Sequence, residues 1–85
     1  MGLLEDLADR LALDTLNEME RLGNDRLYID VAKALGTSSP TMQETFLTSV
    51  RIRLAERRGR AFLETTVAAL QAGAAPPDAP KGGES

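Results

Sequence analysis

Leu4, Leu7, Leu11, Leu16, Met19 and Leu22 return at steps of three to five residues, and Ala8, Ala12 and Thr15 fall on the same side. That spacing fits 3.6 residues per turn and no other regular structure, so the first quarter of the chain must be an amphipathic helix of about twenty residues seeking a surface to cover its apolar side. The spacing predicts a helix over 3–22, stopped by Gly23 and Asn24, two residues that tolerate the left-handed stop conformation. Leu13 is the one apolar residue out of place.

No segment alternates with the period of a strand, and no internal repeat is present. A second helix is expected from Asp25 or Arg26 to Leu35, with Ile29, Ala32 and Leu35 spaced for burial and Gly36 as its stop. "TSSP" at 37–40 then forces a corner: Ser39 can cap, and Pro40 suits the first position of a new helix. Thr41 with Glu44 offers a second capping box one turn further in. The fold class that follows is all-α, a small bundle of three or four helices with a helix-turn-helix-like corner.

The third helix carries two apolar sides. Met42, Thr45, Ser49 and Ile52 step along one; Leu47, Val50 and Leu54 step along nearly the opposite one, with Phe46 between them. The first side is expected to pack on the preceding helices, the second to meet a partner. After Gly59 the pattern shifts to Leu63, Thr66, Val67 and Leu70, which reads as a break or kink at "RRGR" and a short fourth helix to about Ala72, with an unbroken helix from 40 to 72 as the other reading.

Composition limits the rest. The stretch "AGAAPPDAPKGGES" has no branched or aromatic apolar residue, so it cannot bury enough surface to offset the entropy of ordering it. A helical domain over 1–72 and a disordered tail over 73–85 are expected. About 70 ordered residues make a core that seldom supplies more than roughly 3–5 kcal/mol alone. With two phenylalanines and one tyrosine in the whole chain, a partner or a second copy is expected on energetic grounds.

The chain has neither cysteine nor histidine, which removes disulfides, thiolate nucleophiles, the usual structural zinc sites and imidazole acid/base chemistry together. Glu5 and Asp9, one turn apart, suggest a hard-cation pair, and Tyr28 and Lys33 can move protons, but nothing converges on them. The expectation is therefore no enzyme, no catalytic residue, no metal and no cofactor. "MGLLEDLADR" lacks a basic n-region and a sustained apolar run, and Asp6 stands where a myristoylation signal wants Ser or Thr. No membrane contact and a cytoplasmic location are expected.

Net charge is −3, divided unevenly: residues 1–30 hold eight acids against three bases, whereas 31–60 hold six bases against two acids. Opposed charge of this kind pairs helices within a bundle or across an interface. The expected work is that of a small regulator, adaptor or assembly subunit. It would act by helix docking or oligomerisation, with Leu47, Val50 and Leu54 as apolar anchors and Arg51, Arg57 and Arg58 at the rim.

"DVAKALGTSSPTMQETF", residues 30–46, resembles the helix-turn-helix segment of lactose-repressor-type DNA-binding proteins. The resemblance implies that Ala32 lies where the two helices touch, that Gly36 makes the turn, and that Val31, Leu35 and Met42 are buried contacts. It also implies a DNA-binding regulator as the alternative function, with Ser39, Pro40, Gln43 and Glu44 facing the major groove and Arg51, Arg57 and Arg58 on phosphates. Against that use, Glu44 would put negative charge beside phosphates, and Leu47, Val50 and Leu54 offer bases no hydrogen bond.

Overall fold

The computed structural model describes residues 2–73. Three helices occur among them: α1 (Leu3–Leu22), α2 (Leu27–Gly36) and α3 (Pro40–Gln71), with no strand. The fold is all-α, as the spacing predicts. The tail expected from 73 onward lies, apart from Gly73, outside the described residues. The chain divides into two compact units, Met1–Arg53 and Leu54–Ser85.

In the first unit, α1 begins where the Glu5 carboxylate accepts a hydrogen bond from the Gly2 amide at 3.1 Å. It ends at Gly23, whose φ of 68° is left-handed, and the Asn24 amide donates back to the Met19 carbonyl at 3.0 Å. Glycine is needed at that position because a Cβ there would press on the following carbonyl. The Asn24 side chain then accepts from the Arg26 amide at 3.0 Å, closing the turn into α2.

Ala8, Ala12, Thr15, Leu16, Met19, Ala32, Phe46 and Val50 form the buried core. Three of the eight are alanines, so the helices approach closely and α1 and α2 pack directly on one another. The buried strip of α1 is narrower than its periodicity predicts. Leu4 and Leu11 are half-buried, while Leu7, Leu22 and the out-of-register Leu13 are exposed. The small residues occupy the line of closest approach and push the leucines to its margins.

On α3 the two apolar sides prove to be the shoulders of one strip centred on Phe46 and Val50. Thr45 and Ser49 on one shoulder and Leu47 on the other are half-buried, but Ile52, expected inside, is exposed. A helix in a three-helix unit needs only one inward face, and Phe46 is large enough to define it.

The expected break at Gly59 does not occur: α3 is one 32-residue helix, and Gly59 keeps a negative φ. A lone helical glycine costs only about 1 kcal/mol relative to alanine, which the surrounding Ala, Leu, Glu and Arg residues tolerate. The stretch after Gly59 therefore forms no separate fourth helix, and the unbroken reading from 40 to 72 is the one that fits.

Candidate interaction surface

Three places were candidates for function: the corner, a cleft in the first unit, and the distal half of α3. Local chemistry assigns each a different status.

At the corner, Gly36 is the last helical residue of α2 and not a left-handed stop after it, and Thr37, Ser38 and Ser39 amides close the turn onto the Ala34 and Leu35 carbonyls. The Ser39 hydroxyl accepts from the Met42 amide at 3.1 Å, so Ser39 is the cap of α3 and Pro40 its first residue. The Gln43 side-chain amide reaches back to donate to the Ala32 carbonyl at 3.0 Å. Gly36 makes room for it, since a Cβ at 36 would lie 2.8–3.0 Å from that amide. Ala32 is buried, and Val31, Leu35 and Met42 are half-buried. Ser39 and Gln43, the two polar side chains that would face a groove, thus hold the corner together. Glu44, Arg51, Arg57 and Arg58 are exposed.

The cleft is an open space of about 400 Å³ between α1 and α3, bordered by Glu5, Asp6, Asp9, Thr45, Ser49 and Ile52. Asp9 crosses it: its carboxylate accepts from the Ser49 hydroxyl at 2.7 Å and from Arg53 at 2.9 Å. The Ser49 hydrogen bond first, then the Arg53 guanidinium, hold the Asp9 carboxyl below its ordinary pKa. Glu5 is engaged at the α1 start. The Glu5–Asp9 pair considered for a cation is therefore committed to other partners. Among the described residues no group of three His, Cys, Asp or Glu side chains is placed to hold a metal ion.

Burial separates the expected anchors. Val50 is 0% exposed and belongs to the chain's own core, so it cannot anchor a partner; Leu47 and Leu54 are half-buried. The reason is geometric: Val50 lies four residues after Phe46, one turn along the inward strip.

Large apolar side chains stand in water in both units: Leu3, Leu7, Leu13, Leu22 and Ile52 in the first, and a closer-spaced run in the second. In the second unit α3 is the one described element, and Leu63, Val67 and Leu70 are 55%, 42% and 57% exposed. With Gly59 and Thr66 they fall on one side of the helix, within about 100° of azimuth. Phe62 and Ala69, half-buried, border that side. Arg58 and Arg60 stand at its margins, Arg60 paired with Glu56 at 2.5 Å. The apolar spacing from 63 to 70 was legible in the sequence; what spacing leaves open is whether anything covers it.

Among the described residues no helix is long and apolar enough to cross a membrane. No protein-family model matches the chain, and no curated protein or solved structure is similar enough to match it.

Proposed function

We propose that this chain is a non-enzymatic helical docking protein, a small regulator or adaptor of the cytoplasm, which binds through the distal side of α3. The observation that carries the proposal is the run of exposed Leu63, Val67 and Leu70 on a single helix side. Helix faces of this kind gain free energy by entering a groove or meeting another helix, and arginines at the margin orient the encounter. The anchors are thus Leu63, Val67 and Leu70, with Arg58 at the rim; Arg51 and Arg57 are solvent-facing charges of the same helix.

Site-specific photocrosslinking in cells tests this. A photoreactive residue at Val67 should give a discrete adduct, while the same residue at exposed Asn17 on the polar side of α1 gives none. Equal labelling at both, or none at Val67, counts against docking through this side.

The helix–corner–helix of α2 and α3, together with exposed Arg51, Arg57 and Arg58, supports DNA binding as the second reading. It is the weaker one, because Ser39 and Gln43 already have partners within the chain. A DNA binder would show salt-sensitive duplex affinity that falls on changing Arg57 and Arg58 to glutamine. The docking reading expects no such affinity.

A further inference from the structure

We infer that the occupant of the distal α3 side is a second copy of this chain, paired antiparallel; the inference rests on the docking reading above and names its partner. Gly59, Leu63, Thr66 and Leu70 follow one another at steps of four, three and four, within about 60° of azimuth. Their sizes run small, large, small, large. Reversed and laid on itself, this order matches: Leu70 of one copy meets Gly59 of the other, and Leu63 meets Thr66. Such a contact uses the same surface on both chains and closes on a two-fold axis between residues 64 and 65.

Gly59 is the independent observation. A Cβ built there meets nothing within 4 Å, so nothing among the described residues explains a glycine in mid-helix, where it is unfavourable. Close approach of another helix is the remaining physical use for it. A leucine side chain needs such a notch, and the antiparallel order supplies that leucine as Leu70.

Charge agrees with this orientation. The last turn of α3 carries no basic residue, although its free carbonyls favour a nearby cation. In the antiparallel pair, Arg58 of one copy lies at the level of Gln71 of the other, beside that last turn, while Arg60 keeps its own Glu56 as partner. No acid faces an acid and no arginine faces an arginine across the seam. A parallel pair would stack Arg58 on Arg58, Arg60 on Arg60 and leucine on leucine, leaving the glycine notch empty. Residues 74–85 contain only Ala, Pro, Asp, Lys, Gly, Glu and Ser, so they offer the notch no leucine and no other branched or aromatic apolar side chain.

Sedimentation equilibrium of the full chain and of Gly59→Leu is the test, with helix content followed by circular dichroism. The native chain should form a concentration-dependent dimer. Gly59→Leu should keep or raise helix content yet weaken the dimer at least tenfold, because the notch is filled. A merely propensity-driven role for residue 59 would not separate the two readouts. A dimer unchanged or tightened by Gly59→Leu overturns the inference.

Orientation is read from disulfides, since the chain has no cysteine of its own. Mixing Gly59→Cys and Leu70→Cys chains should trap the 59–70 mixed disulfide. Like residues would lie roughly 16 Å apart along the axis, beyond disulfide reach. Selective 59–59 and 70–70 disulfides overturn the antiparallel order. A native chain that stays monomeric overturns self-pairing. If the Val67 adduct then proves to be a different protein, docking stands and only this inference fails.

Discussion

Gln43 and Gly36 show how a single contact sets the corner. The Gln43 amide bonds a backbone carbonyl of α2, and Gly36 exists to let it pass. Gln43→Ala should destabilise the chain by about 1 kcal/mol, the usual net worth of such a hydrogen bond. Gly36→Ala should be near neutral in the native background, because the flexible end of Gln43 swings aside and its lost hydrogen bond offsets the helix preference of alanine, and it should be stabilising with Gln43→Ala already present. Chemical denaturation of the four chains in this cycle checks it. The sequence made Gly36 legible as a special position, but as a helix stop. Its true role depends on a side chain seven residues away, which local propensity does not see. Asp9 likewise lost its presumed freedom to Ser49 and Arg53, each about 40 positions distant. Because Asp9's pKa is lowered in the fold, its contribution is present above the unfolded carboxylate value and is lost as pH falls through the folded one. Asp9→Asn should therefore flatten the acid limb of the stability–pH profile and leave the neutral-to-alkaline part nearly pH-independent as before.

At the level of elements, α1 was legible almost to the residue because a six-member apolar repeat and a Gly-Asn stop agree. α2 shifted by one or two residues at each end, which is the ordinary uncertainty of helix ends. For α3 the periodicity was legible and its meaning was not. The spacing that puts Phe46 and Val50 inward in the first unit is not continued by Leu63, Val67 and Leu70 in the second, where the apolar repeat takes another register along the helix. Reading both as local patterns suggested a break at Gly59. The glycine nevertheless weakens the helix: Gly59→Ala should raise helix stability by about 0.5–1 kcal/mol, since the added methyl meets nothing among the described residues. Amide exchange of residues 56–64, measured at concentrations where the chain is monomeric, reads this directly.

For the whole molecule, the division of labour is what matters: a core around Phe46, Leu16 and Val50 holds the first unit, and the second leaves Leu63, Val67 and Leu70 exposed. Phe46→Ala should cost about 3–5 kcal/mol, comparable to the entire stability expected of so thin a core, and leave the chain largely unfolded by circular dichroism. Changing Leu63 and Leu70 together to glutamine should do the opposite, leaving helix content intact. The decisive measurement is the native mass of the untagged full chain purified from cells, with and without that double substitution. The mass should exceed the 9.1 kDa of one chain and return to 9.1 kDa in the double variant with the fold retained. A native chain found only at 9.1 kDa, or a double variant that keeps its assembly or unfolds, would contradict it.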